Sequence, residues 1–154
     1  MITADLDKNS PNGIIVRASS DDATKIVEAI IFTGDQMLWF NETTKEIRFK
    51  DNSAMKAAFT NVQVIKFYLA DEFLFSAFVR VNSPSSEIIN SLVFYYNPTE
   101  NKYYLLDGYP PDNLSQNQPV PPDTSGAREQ NMNQIATGWD KFINQLKKDK
   151  KHTK

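Results

Sequence analysis

The feature that most constrains the fold is a pair of adjacent apolar runs in the middle of the chain. Residues 62–69 and 73–81 are rich in valine and aromatic residues, which favour strands, and only Ala70, Asp71 and Glu72 separate them. A three-residue connection has the length of a β-hairpin loop. The two runs therefore predict an antiparallel hairpin at the centre of a β-rich fold.

Further strands are indicated on both sides of this hairpin. Residues 13–18 are a β-branched run between turn signals and predict one strand. Residues 37–51 predict a second hairpin, because two apolar alternations flank the polar sequence NETTK. Downstream, residues 88–96 and 103–109 predict a third hairpin across the sequence NPTENK. Together these patterns are typical of a sheet of short antiparallel strands.

One upstream segment fits two structures. Its apolar residues between positions 23 and 31 recur at helical spacing after Ser19, which would suit a helix start. The same residues are β-branched, and the run is short and ends at Gly34-Asp35, as a strand would. We favour a strand over residues 26–33, with helix or strand left open for residues 20–33.

The C-terminal third changes character twice. Residues 110–123 are rich in proline and amide side chains and predict an extended strap without regular structure. Residues 124–148 predict one long amphipathic helix, and residues 149–154 a basic tail. The helix is indicated by apolar residues at spacings of three and four, namely Met132, Ile135, Trp139, Phe142 and Leu146.

These elements predict a single α+β domain of 154 residues. Its body, residues 13–109, would be a mainly antiparallel β meander of about seven or eight short strands, with the long C-terminal helix laid against it. The sheet could be open and curved or closed into a small barrel, and we rank the open sheet first. Residues 1–12 have no apolar pattern and predict a flexible N-terminus.

Composition excludes several classes of function. The formal net charge of −2 gives no global field that would attract nucleic acid, and the absence of cysteine removes disulfides, thiolate nucleophiles and cysteine-ligated metals. No run of the sequence is long and apolar enough to predict a membrane span, and the first residues do not have the pattern of a signal peptide. We expect no cofactor and no metal.

Few residues have the chemistry of a catalyst. The sole histidine, His152, lies in the lysine-rich tail, where we expect it to be solvated. A hydrolase based on two carboxylates would need them facing each other across a cleft, about 5–10 Å apart. The candidates for that role are Asp71, Glu72, Glu87 and Asp107, although the first two and the last suit turns.

Two further patterns are weaker. Asp5, Asp7 and Asn9 have the alternate spacing of a calcium-binding loop, but Ser10 stands where such loops need glycine and Val16 where they need glutamate. The lysines of residues 147–154 could attract nucleic acid, but cations at the end of a helix are also favoured by its dipole. We therefore expect neither a calcium site nor a nucleic-acid partner.

The aromatic residues remain as candidates for a binding surface. Five of the six tyrosines lie between residues 95 and 109. If residues 97–102 connect the hairpin, alternation puts Tyr96 and Tyr103 on one face and Tyr95 and Tyr104 on the other. We predict that a ligand contacts one face of the sheet, through Trp39, Tyr95, Tyr104 and Tyr109.

The segments LWFNETTKEIRFKD and NKYYLLDGYPP resemble small uncharacterised exported or lipid-anchored domains of Bacteroidetes. That resemblance implies a cell-envelope or extracellular domain, with its lipid-bearing cysteine encoded upstream, and it implies no functional residue. The first hypothesis is a non-enzymatic extracytoplasmic binding or structural module, whose aromatic sheet face contacts a partner protein, a glycan or a small ligand. The alternatives are a carboxylate-dependent hydrolase and a cytoplasmic assembly domain.

Overall fold

A computed structural model describes residues 13–18, 29–59, 62–81, 89–109 and 126–154. The proline-rich strap, the N-terminal residues 1–12, the calcium-like loop, Glu87 and most of the ambiguous segment 20–33 lie outside these ranges. The strands are β1 (Ile14–Ala18), β2 (Ile30–Thr33), β3 (Met37–Asn41), β4 (Glu46–Phe49), β5 (Val64–Leu69), β6 (Glu72–Val81), β7 (Val93–Asn97), β8 (Lys102–Leu106) and β9 (His152–Thr153). The helices are α1 (Asn52–Ala58), α2 (Ala127–Gln134) and α3 (Ala136–Lys148), and a short 3-10 turn covers Gly34–Gln36.

The nine described strands form one mainly antiparallel sheet in the order β2-β1-β5-β6-β7-β8-β4-β3-β9. This confirms the α+β class and the antiparallel character, and the strand β2 agrees with the strand assignment of residues 30–33. The expectation of a simple meander is wrong, because β6 pairs in parallel with β7 and the β3–β4 hairpin lies beyond β8. Strands β6 and β7 therefore run side by side in the same direction.

The sheet is open and strongly curled. In the strand order, β2 and β4 are six steps apart, which in a flat sheet would separate them by roughly 29 Å at a strand spacing of about 4.8 Å. The ring of Phe32 on β2 nevertheless lies with its centroid 4.8 Å from that of Phe49 on β4 and 6.0 Å from that of Phe94 on β7. The sheet curls so that its inner face encloses these rings, while its end strands β2 and β9 stay unpaired with each other.

Two hairpin turns use the same local chemistry. Between β3 and β4 the Asn41 side-chain oxygen accepts hydrogen bonds from the N–H groups of Thr43 and Thr44, both at 2.9 Å. Lys45, the last residue of this turn, takes the left-handed conformation. Between β7 and β8 the Asn97 side-chain oxygen accepts the corresponding hydrogen bonds, and Asn101 takes the left-handed conformation. Asparagine suits both positions, since its side chain bonds to the backbone of a turn and it tolerates positive φ.

Helix α3 fills the inner face of the curled sheet. Phe142 is fully buried, with ring centroids of Phe40, Phe67 and Phe75 within 5.5–6.0 Å. Leu146 is also fully buried, and Trp139 packs at the edge of the same core. The predicted apolar stripe therefore faces the sheet as expected.

The single long C-terminal helix is not observed. Ile135, with φ −101° and ψ 8°, separates α2 from α3, and its N–H bonds to the carbonyl oxygen of Met132, only three residues back. Met132 and Ile135 still pack against the core, so the stripe continues across the break. The spacing of apolar residues predicts which face of a helix is buried, but it does not predict where a single tighter turn interrupts the helix.

The tail also differs from expectation. Residues 152–153 form the short strand β9, which pairs in parallel with β3, and the His152 ring bonds to the Glu42 carboxylate. The side chain of His152 is 9% exposed, so it is not a solvated tail residue. Sequence pattern could not anticipate this, because a two-residue strand has no periodicity.

Candidate functional site

The tyrosine hairpin divides between two faces as alternation predicted. Tyr95 stands opposite Tyr104 and Tyr96 opposite Tyr103 in the β7–β8 register. Tyr96 and Tyr103 belong to the main core on the inner face, whereas Tyr95 and Tyr104 lie on the outer face of the sheet. Four of these five clustered tyrosines are thus cross-strand partners of one another.

The predicted ligand residues are only partly accessible. Tyr95, Tyr104 and Tyr109 form one outer cluster, with the ring centroid of Tyr95 6.1 Å from that of Tyr104 and 5.8 Å from that of Tyr109. Tyr95 is 2% exposed and Tyr109 6%, so neither ring offers a face to a ligand. Tyr104 and Trp39 are half-buried and remain the accessible members of the set.

Trp39 is joined to this cluster by a row of charged and aromatic side chains across β3, β4, β8 and β7. The Arg48 guanidinium lies 5.1 Å from the centre of the Trp39 ring, and its Nη2 bonds to the Glu46 carboxylate at 2.8 Å. Glu46 stands opposite Tyr104, which in turn stands opposite Tyr95. We call Trp39, Arg48, Glu46, Tyr104 and Tyr95 the outer-face row.

The charged groups of the outer-face row and the Tyr104 hydroxyl have partners within the protein. The Tyr104 hydroxyl donates to Glu100 at 3.2 Å, and burial, with the nearby Glu100 carboxylate as a second cause, raises the pKa of Tyr104 to about 12. Burial also raises the pKa of Tyr95. The two charges and the Tyr104 hydroxyl are thus already paired, so the half-buried Trp39 ring is the part of the row that a flat ligand could contact.

Three of the four candidate carboxylates lie within the described residues, and Glu87 does not. Asp71 and Asp107 are exposed at turns, and Glu72 forms an ion pair with Lys141 of α3. Two cavities are lined by described residues alone, and one of them contains Glu72 as its sole carboxylate, whereas the other contains none. The described residues therefore give no support to a mechanism with two facing carboxylates.

A larger opening lies away from the predicted ligand residues, none of which lines it. A groove of about 460 Å³ runs between β6 and the junction of α2 and α3, within the size range of ligand sites. Two aromatic residues of β6 reach its surface, Phe73 at 52% and Phe78 at 40% exposure. The other lining residues are Glu72, Leu74, Phe75, Ser76, Ser91, Leu92, Asn131, Gln134, Ile135, Thr137 and Gly138.

The groove exists because β7 begins late along β6. Pairing with β7 starts at Phe78, whereas pairing with β5 on the other side covers β6 from Glu72 onward. Among the residues that the structure describes, no strand pairs with residues 72–77 on the β7 side. The late start of β7 leaves a stretch of open strand edge, and that edge forms one wall of the groove.

Backbone polar groups point from this open edge into the groove. The N–H of Val79 bonds to Gln63 on the β5 side, and that of Phe78 bonds to Leu92 on the β7 side. Because strand residues alternate in this way, the N–H and C=O of Ser76 face the same side as those of Phe78. We call the stretch from Leu74 to Phe78 the open edge.

Helix α3 limits the open edge at its start. Gly138 packs so closely on β6 that a Cβ at position 138 would meet the Leu74 backbone. From Leu74 to Phe78 the open edge spans four residue steps, or about 13 Å of strand. Gln134 lies on the opposite wall, where its amide can serve as both donor and acceptor.

A smaller cavity of about 180 Å³ lies between α1 and the inner edge of β6 and β7. Its lining is apolar apart from Lys56, and the hydroxyls of Tyr96 and Tyr103 bond elsewhere, to Asn101 and to the Asn52 carbonyl. With Lys56 as its one charged lining residue and both tyrosine hydroxyls bonded elsewhere, this cavity is best explained as a packing defect beside a short helix.

Within the described ranges, no three side chains of His, Asp or Glu come together as a metal site would require. None of the helices described combines the length and apolarity needed to cross a bilayer. Comparisons of the chain with known protein families, with characterised proteins and with solved structures found no match.

Proposed function

We propose that this protein is a non-enzymatic binding module whose ligand is a short extended peptide segment of a partner protein. The observation that carries the proposal is the open edge of β6, which has β5 on one side and the groove on the other. An exposed strand edge binds extended peptides by main-chain hydrogen bonds, and adjacent side-chain surfaces select among them. The predicted aromatic contribution then comes from Phe73 and Phe78 rather than from the tyrosines.

The chemistry of both walls suits a peptide backbone. Ser76 offers a donor and an acceptor from the sheet, and Gln134 offers both from the helix side. A peptide between them would have polar partners at both of its edges. Because alternate side chains of an extended peptide point to opposite faces, one set would lie against the exposed rings of Phe73 and Phe78.

The proposal can be tested by selecting peptides from a phage-displayed random library on the immobilised full-length protein. We expect selected peptides to shift the backbone amide resonances of Ser76 and Phe78 in NMR titrations. Replacing Thr137 with tryptophan should fill the groove from an exposed helix position and weaken binding at least tenfold. Asn144→Trp is the matched control, since it makes the same change at an exposed position of α3 about 10 Å farther along the helix.

Several outcomes would contradict the proposal. Peptides that bind both tryptophan variants equally well would place their site elsewhere on the surface. Selected peptides that shift resonances of Trp39 and Tyr104 would transfer the site to the outer-face row. A library that yields no peptide binding to the wild-type protein above background would remove the basis for peptide recognition.

A second candidate is ligand contact at the outer-face row, favoured by the half-buried Trp39 ring beside the Arg48 guanidinium. Flat ligands such as sugars stack on such rings. A panel of oligosaccharides would be titrated against two variants. Binding should change the tryptophan fluorescence of Trp139→Phe, which keeps Trp39, and should leave that of Trp39→Phe unchanged. The extracytoplasmic location stays a prediction, which the codons upstream of Met1 in the native gene would test.

A further inference from the structure

The second feature that points to an interaction lies at the other end of the sheet, where the C-terminal residues cover the edge of β3. The N–H of Phe40 donates to the Lys151 carbonyl at 2.8 Å, and the N–H of Glu42 donates to the Thr153 carbonyl at 3.0 Å. Without β9, these N–H groups would form an unpaired strand edge. Such edges pair readily with other chains unless a protein covers them.

Two side-chain contacts hold the cover in place. His152 bonds to the Glu42 carboxylate, and the Lys151 ammonium group bonds to the Gly34 carbonyl oxygen. The His152 bond lowers the pKa of Glu42, as expected when a carboxylate accepts a hydrogen bond in its charged form. Both contacts tie the cover to the residues that flank β3.

The cover is attached weakly compared with the helix before it. Thr153 and Lys154 are exposed, and the described apolar core contains no residue beyond Leu146. Lys150, with a φ of 60°, ends α3 in a left-handed conformation, and the N–H of Lys151 donates to the Leu146 carbonyl oxygen at 2.8 Å. Opening of the two backbone bonds to β3 would leave this helix end and the core packing of α3 intact.

We propose that residues 151–154 are a releasable cover, and that their release lets β3 pair antiparallel with the β3 of a second copy. A second copy fits because an antiparallel pair of identical edges is self-complementary, so each β3 gives the other the partners that β9 supplied. Leu38, 44% exposed beside this edge, would be shielded in the pair. The Trp39 rings of both copies would then share one continuous outer face.

The test compares the full chain with a variant that ends at Lys150, using sedimentation velocity over a range of protein concentrations. We expect the full chain to stay monomeric and the shortened chain to double its molar mass as concentration rises. Adding Glu42→Pro to the shortened chain removes one edge N–H, and this double variant should return to a monomer. Circular dichroism confirms the fold of each variant.

Three results would overturn the proposal. A folded shortened chain that stays monomeric would mean that the uncovered edge does not pair. A full chain that dimerises as strongly as the shortened one would mean that the cover does not control pairing. A shortened chain that fails to fold would show that residues 151–154 belong to the cooperative core and are not a cover.

Discussion

Gly138 lies where α3 passes closest to β6, and replacing it with alanine tests whether this contact sets the width of the groove. A Cβ at position 138 would fall on the Leu74 carbonyl oxygen and lie 2.8 Å from the Leu74 carbonyl carbon. The obstacle is backbone, which cannot rotate away as a side chain can. Helix and strand must therefore separate, or the local backbone must distort.

The expected size of the effect follows from two opposing contributions to the free energy of unfolding. Alanine in a helix interior is favoured over glycine by about 1 kcal/mol. Overpacking of a tight contact costs about 1–3 kcal/mol, and we expect the upper part of that range because backbone blocks the new methyl group. The net prediction for Gly138→Ala is a loss of stability of about 1–2 kcal/mol.

Urea denaturation of the full-length protein measures this difference. Asn144→Ala is the control, since Asn144 is exposed on the same helix, and the substitution should be neutral or stabilise by less than about 1 kcal/mol. In NMR spectra, Gly138→Ala should also shift the amide resonance of Ser76, which faces the groove. A Gly138→Ala protein that is more stable than wild type by about 1 kcal/mol would refute the close contact with Leu74.

Three further predictions concern single side chains. Phe142→Ala should cost about 3–5 kcal/mol in urea denaturation, because the ring is fully buried among other rings, and a loss below about 1.5 kcal/mol would contradict that packing. The hydrogen bond from His152 lowers the pKa of Glu42 from its ordinary value of 4.5. The Glu42→Gln variant should therefore be less stable than the wild type above pH 4.5, and this difference should vanish as the pH falls through the lowered pKa. Urea denaturation at a series of acid pH values measures the difference, and a difference that does not change with pH would refute it. In ultraviolet titration, the wild-type protein should show one tyrosine ionisation near pH 12 that the Tyr104→Phe variant lacks. If the missing ionisation instead occurs near pH 10, the burial of this phenol is contradicted.

The tyrosine hairpin shows what the sequence could predict. Its connection, the pairing of Tyr95 with Tyr104 and the division between two faces all follow from a period of two and a polar turn. These are local properties, since each depends on residues fewer than ten positions apart. The same reasoning succeeded for the β5–β6 hairpin and for the apolar face of α3.

The features that sequence reasoning missed depend on residues far apart in the chain. The parallel pairing of β6 with β7 sets Phe78 beside Val93, and local alternation does not encode the direction in which two strands pair. The β9–β3 pairing joins His152 to Phe40, more than a hundred residues away, through a strand too short to have a period. The burial of Tyr95 and Tyr109 was not predicted for a related reason, because alternation assigns a face to a residue and does not say whether that face is covered. Ligand contact through Trp39, Tyr95, Tyr104 and Tyr109 stays a prediction.

The groove depends on the break between α2 and α3, because the two helices attach to different parts of the sheet. Helix α2 is tied to the segment before β7, where Arg128 Nε donates to the Asn90 side chain at 3.1 Å and the Asn131 amide donates to the Asn90 carbonyl. Helix α3 is fixed to β6 through the contact of Gly138 with Leu74. Since β6 and β7 are unpaired between these two attachments, each helix holds one wall of the groove. A peptide that enters the groove would bridge both walls, so its binding should depend on the position of α2 as well as on the open edge itself.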